Sequence, residues 1–141
     1  KPTTLALMNI LMVDDDEPCR NLIKELFADD AEMTFAFASD GAEAWWLLSD
    51  PQRTFDLGII DLHMPTVTGL SLLERIRATP RLAQFPIMLC TGIHDRETVA
   101  RAAQLAISHY IVKPFKPAAM REKIEQLRVG RRVGGIALQP A

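Results

Sequence analysis

No apolar run in this chain approaches the roughly 20 residues that cross a bilayer. Runs such as Leu57–Ile60 and Ile87–Cys90 are far too short, so no membrane span is expected. Cysteine is scarce: Cys19 and Cys90 are the only two, and they share no metal-type spacing. Cys90 lies inside an apolar run, where a cysteine is usually a small core residue and not half of a disulfide. A reducing, cytoplasmic compartment is therefore expected. The opening Lys1-Pro2-Thr3-Thr4 is polar and unlike a signal peptide. No charge of one sign dominates. A net charge of −2 gives no broad reason to hold nucleic acid or an anionic membrane. Low-complexity tracts, internal repeats and an interdomain linker are all missing, which argues against disorder and against a second domain.

What is present is enough apolar material for one core: 48% of 141 residues. Asn9–Val13 is a short apolar run that ends abruptly in acids, as a buried parallel strand would. Helical spacing follows, with Leu22, Ile23, Leu26 and Phe27 on one face and Pro18 in the first turn. Among the acids Asp14–Glu17, Asp16 is the expected helix cap. Met33–Ala38 is a second strand, and Asp40-Gly41 opens a helix carrying Ala44, Trp45 and Leu48. Phe55–Ile60 is a third strand, again ending in an acid, Asp61. A helix over Gly69–Arg77 turns Leu70, Leu73 and Ile76 inward and stops at Thr79-Pro80. Pro86–Cys90 makes the fourth strand, and Arg96–Ala106 a helix packing through Val99, Ala102 and Ala103. Tyr110–Val112 is the fifth strand, and Pro117–Arg128 a helix with Met120, Ile124 and Leu127 inward. Strict strand–helix alternation implies an α/β fold, a doubly wound parallel sheet of five strands with helices on both faces. Periodicity fades after Arg128, so residues 129–141 are expected to be a flexible tail or the start of a linker.

In such a sheet, ligands bind beyond the carboxyl ends of the strands. Asp14-Asp15 follow the first strand, Asp61 the third, Thr91 the fourth and Lys113 the fifth. Carboxylates about 4 Å apart repel by about 4 kcal/mol per pair at an effective dielectric near 20. Such a cluster calls for a cation, and a site of few oxygen ligands suits Mg²⁺, which keeps several waters. A metal, a nucleophilic carboxylate, a hydroxyl and an ammonium are the parts needed to transfer a phosphoryl group onto an aspartate.

From about Asn9 to Arg128 the chain resembles the response-regulator receiver domains of two-component signalling, close to the chemotaxis response regulators. The marks are Val13-Asp14-Asp15-Asp16, Asp61-Leu62-His63-Met64-Pro65 with Gly69, Cys90-Thr91-Gly92, and Tyr110-Ile111-Val112-Lys113-Pro114-Phe115. The resemblance implies a flavodoxin-like strand order 2-1-3-4-5 with Asp61 as phosphoacceptor. It implies that Asp15 ligates Mg²⁺ directly and Asp14 through water, alongside Asp61 and the His63 carbonyl. Thr91 and Lys113 would contact phosphoryl oxygens, and Tyr110 would turn inward as Thr91 moves, changing the face made by the fourth helix, fifth strand and fifth helix. A cis peptide before Pro114 is implied, with Pro65 and Gly69 shaping the loop beside Asp61. His63 and Ile93 fall where side chains govern the phosphoryl lifetime. The expected partners are a sensor histidine kinase or phosphotransfer protein and an unspecified downstream target. Neither nucleic acid nor membrane is expected to bind this domain.

Each residue also has a blander reading. An acidic run commonly serves a helix dipole, a strand-end threonine or Lys-Pro is commonly structural, and Tyr110 could be a partly buried aromatic. His94 and His109 read as surface residues. Two departures stand out. Ala106-Ile107-Ser108-His109 replaces a frequent Gly-Ala-Asp-Asp, removing an easy left-handed cap and the acids one DNA-binding subfamily uses for pairing. Trp46 follows Trp45, and both cannot face the core of one helix. Two rival functions are a haloacid-dehalogenase-like phosphatase and a binding module without chemistry. The first wants Asp-x-Asp-x-Thr, whereas Asp14-Asp15-Asp16-Glu17-Pro18 lacks the threonine. The second would normally lose an acid or the lysine.

Overall fold

Met8–Val13 forms the strand β1 on which the sheet is built, with partners on both edges. The computed structural model describes residues 7–64, 68–92, 96–107 and 109–134. After β1 come α1 (Glu17–Leu26), β2 (Met33–Ala38), α2 (Gly41–Ser49), β3 (Leu57–Ile60) and α3 (Gly69–Ala78). A short 3₁₀ turn over Pro80–Leu82 leads to β4 (Ile87–Thr91), α4 (Arg96–Gln104), β5 (His109–Val112) and α5 (Pro117–Gly134). All pairings are parallel and the order is β2-β1-β3-β4-β5.

The period-two alternation of strand side chains divides the core. Leu11, Val13, Ile60 and Leu89 point to one face, where Ala44, Leu48, Leu72, Leu73 and Ile76 cover them. Ile10, Met12, Ile59 and Met88 point to the other, beneath Ile23, Met120, Ile124 and Leu127. Each such side chain, fully buried, contributes about 1.5–3 kcal/mol.

Several boundaries and facings differ from the sequence reading. In α3 it is Leu72 that is fully buried beside Leu73 and Ile76, while Leu70 is half-buried. Ala103 on α4 is exposed and Ala102 buried. The side chain of Val99 lies outside the described residues. Asp16 occupies the cap position of α1 without a side-chain capping bond. The working caps are Asp40, which accepts the Glu43 N–H at 2.8 Å, and Thr68, which accepts the Ser71 N–H at 3.2 Å. The helix expected to end at Arg128 continues to Gly134. Apolar periodicity reports burial and not helicity. Once a helix is nucleated, propagation needs only one residue ordered per hydrogen bond, and arginine is a good former. Ala106 holds φ 64, a left-handed conformation that favours glycine. This is the position where the sequence departs from a frequent glycine.

Candidate functional site

Register alone brings the strand ends level. Val13 pairs with both Ala38 and Ile60, and Thr91 pairs with Val112. The ladders then continue one residue further. The Asp14 N–H donates to Ala38 O at 3.0 Å, the Asp61 N–H to Val13 O at 3.0 Å, and the Lys113 N–H to Thr91 O at 3.0 Å. Asp14, Asp61 and Lys113 are therefore held by backbone, each as the first residue past its strand.

Asp14 and Asp61 are buried, and Asp15 beside them is exposed. One carboxylate oxygen from each of the three lies within 4.8 Å of the others. The Lys113 ammonium sits 2.6 Å from Asp14 Oδ2 and 3.1 Å from Asp61 Oδ2. Asp61 Oδ1 accepts the His63 N–H at 3.0 Å, and Asp14 Oδ1 accepts the Asp16 N–H at 2.9 Å. Among the described residues, Asp14 Oδ2 meets the Lys113 ammonium alone. Burial pushes the Asp14 carboxyl above its usual range, outweighing Lys113 and the Asp16 N–H. Burial works to lower Lys113, but the contacts with Asp14 and Asp61 outweigh it and hold the ammonium charged. Three carboxylates facing one ammonium leave excess negative charge. An all-oxygen donor set in that condition fits a hard divalent cation such as Mg²⁺.

Gly69, the first residue of α3, explains how Asp61 is set. A Cβ there would lie 1.9 Å from Asp61 O and 2.6 Å from Leu62 Cα. Only glycine permits this approach, and its N–H donates to Leu62 O at 3.2 Å. α3 is thereby pressed against the turn that carries Asp61.

Thr91 is buried at the end of β4, next to the Asp61 strand. Tyr110, opposite Leu89 on the edge strand β5, is 55% exposed. The His63 side chain is exposed, while its backbone N–H is the part that meets Asp61. The Lys113–Pro114 peptide is cis, as the resemblance implies. Pro65, Ile93 and His94 lie outside the described residues. Trp45 is half-buried with the Arg75 guanidinium 4.0 Å above its ring, and Trp46 is 71% exposed. The structure adds Arg20, which sequence reasoning had no cause to single out. Its guanidinium donates to Asp14 O at 2.6 Å and pins the carbonyl behind the acid. A basic residue one turn into a helix is too common to carry that signal.

Comparison with known proteins bears on the family and the fold. A family model described as the response regulator receiver domain matches residues 10–125. The chemotaxis protein CheY of Pseudomonas aeruginosa is 38% identical over 120 residues, covering 85% of this chain and 95% of that protein. Chemotaxis protein CheY-3 of Vibrio cholerae is 36% identical over 120 residues, covering 85% and 91%. Among solved structures, Vibrio cholerae CheY4 superposes with a TM-score of 0.74 at 26% identity, covering 86% of this chain and 98% of that one.

Proposed function

We propose a detailed role for this chain from the premise that it belongs to the response regulator receiver domains. It is thus a phosphorylation-activated signalling switch of two-component systems, a regulatory domain and not a metabolic enzyme. We infer that Asp61 is the phosphoacceptor and that a histidine kinase, or a phosphotransfer protein, is the donor. The observation that carries this reading is the convergence of Asp14, Asp15 and Lys113 on the Asp61 carboxylate.

Asp14, Asp15, Asp61 and the His63 carbonyl would hold Mg²⁺, which supplies charge neutralisation at the phosphoryl oxygens when bound. Asp61 Oδ1 is oriented by the His63 N–H, leaving Oδ2, now paired with Lys113, as the nucleophilic oxygen. Lys113 then follows the new charge from Asp61 to a phosphoryl oxygen, and the Thr91 hydroxyl takes a second one. Phosphorylation biases two existing arrangements of the α4-β5-α5 face. Thr91 moving toward the phosphoryl group vacates space for the exposed Tyr110. The unit that does this is residues 9–128, and α5 runs on from it to Gly134. No helix among the described residues is long and apolar enough to cross a membrane, which fits the proposed cytoplasmic site of action.

Acetyl phosphate with Mg²⁺ should add one phosphoryl group to the wild type and none to Asp61→Asn, read by intact mass. Equal labelling of both would remove Asp61 from the mechanism. Steady hydrolysis of a phosphate ester would instead make the chain a phosphatase, and inertness of the wild type would make it a binding module.

A further inference from the structure

Both peptide groups that flank Asp15 are tied down by side chains. The peptide before it presents the Asp14 carbonyl, which accepts a bond from the Arg20 guanidinium at 2.6 Å. The peptide after it presents the Asp16 N–H, which donates to Asp14 Oδ1 at 2.9 Å. Arg20 is itself fixed in α1, where its N–H donates to Asp16 O at 3.1 Å. The Asp15 carboxylate, by contrast, is exposed and makes no ion pair among the described residues. Its direction is therefore set by its backbone. Arg20 is half-buried on the turn that carries the acids Asp14–Glu17, yet among the described residues it too makes no ion pair. Its charge goes to a neutral carbonyl, which leaves the clustered carboxylates of Asp14, Asp15 and Asp61 to Lys113 and a cation.

We propose that Arg20 is a positioning residue for the metal, an inference that rests on the reading of this cluster as a Mg²⁺ site. By holding the Asp14–Asp15 peptide it aims the Asp15 carboxylate toward those of Asp14 and Asp61. The peptide unit is planar, so fixing its carbonyl fixes the last dihedral of Asp14 and the first of Asp15 together. Rotation of that unit would swing the Asp15 side chain away from the other two acids. A charge-assisted bond is roughly twice as strong as a neutral one, which suits a turn that water can reach. A donor ordered beforehand has less freedom to lose when the metal arrives. Charge and geometry predict opposite signs here. A guanidinium repels a nearby dication, so on charge alone the loss of Arg20 would tighten Mg²⁺ binding. On positioning, its loss weakens binding.

The test is calorimetric titration of MgCl₂ into the folded, unphosphorylated chain, with no phosphoryl donor present. Arg20→Met should raise the Mg²⁺ dissociation constant about tenfold, at the lower end of the roughly 10–100-fold that partners orienting metal ligands contribute. Arg20→Lys keeps the charge and a donor and should stay close to wild type, because one N–H suffices for one carbonyl. Arg20→Gln is a good helix former whose amide falls short of the carbonyl. It should bind as weakly as Arg20→Met, and it decides the matter if the methionine variant does not fold. A merely structural role would lower the melting temperature without moving the dissociation constant at temperatures where the variant is folded. Mg²⁺ binding as tight as wild type, or tighter, in Arg20→Met or in a folded Arg20→Gln would overturn the proposal. Absence of Mg²⁺ uptake by the wild type is a different failure: it removes the metal site itself, and the role of Arg20 with it.

Discussion

At the carboxyl end of the sheet the buried partners are acids; at the amino end the buried partner is the cation. Asp14 and Asp61 side chains are 1% and 7% exposed and share the 20% exposed Lys113. Arg128, by contrast, is 7% exposed and pairs at 2.7 Å with Asp30 and also with Glu125, whose side chains are 20% and 34% exposed. Burial works against Arg128, yet its two acids outweigh burial and raise it further. Those acids keep water as a second solvent, so the amino-end cluster is close to compensated. It clamps α5 to the loop before β2, and its charges are paired although Arg128 Nε is buried without a hydrogen-bond partner. The carboxyl-end cluster keeps surplus negative charge, three carboxylates facing one ammonium. A fold stabilises itself with the first arrangement and reserves the second for a ligand.

The sharpest break between the two should appear in phosphoryl labelling. Asp61→Asn should abolish it, while Arg128→Met should leave it intact, as read by intact mass after acetyl phosphate and Mg²⁺. Next in size is the metal response. Mg²⁺ at a hundredfold excess over its dissociation constant should stabilise the wild type by about 2.7 kcal/mol. Asp15→Ala should lose most of that gain in thermal melts, and Arg128→Met none of it. A melting temperature unmoved by millimolar Mg²⁺ would erase the contrast.

Stability without metal should invert the ranking. Arg128→Met removes charge-assisted bonds and should cost about 1–3 kcal/mol in urea unfolding, less than a fully buried pair because its acids reach solvent. Asp14→Asn removes a carboxylate that burial already disfavours, and should leave the midpoint unchanged or raise it. A large loss for Asp14→Asn would mean that its pairing with Lys113 holds the fold, and that the two ends are alike.

The smallest effect is a titration outside both clusters. Burial, aided by Lys123, lowers the His109 pKa below its usual 6.5. The folded state then binds fewer protons than the unfolded one. Stability should be complete above pH 6.5 and decline as pH falls through the lowered folded value. His109→Gln should flatten this slope in urea midpoints measured across that range. A slope that persists would assign the titration elsewhere.

Much of this was legible from local pattern. The apolar runs ending at Val13 and Ile60, the Asp40 helix start and the parallel sheet all follow from neighbours in sequence, because strand and helix periods are local properties. Asp14, Asp61 and Lys113 were visible as polar residues ending apolar runs. The missing glycine at 106 was also visible, and the structure shows its consequence, an alanine carrying φ 64 at a cost of about 1–2 kcal/mol. Facing within α3 and α4 was less secure. Adjacent leucines or alanines sit about 100° apart on a helix, and only the packing partner decides which is buried.

By itself, then, the sequence determined which segments extend or coil, and which polar residues stand at the carboxyl ends of strands. Only the tertiary structure decided that Lys113 bridges Asp14 and Asp61, that a Cβ at position 69 would collide with Asp61, and that Arg128 anchors to Asp30. The ion pairs among them join residues tens of positions apart. Their energies come from desolvation and charge pairing, which exist only once the sheet has excluded water.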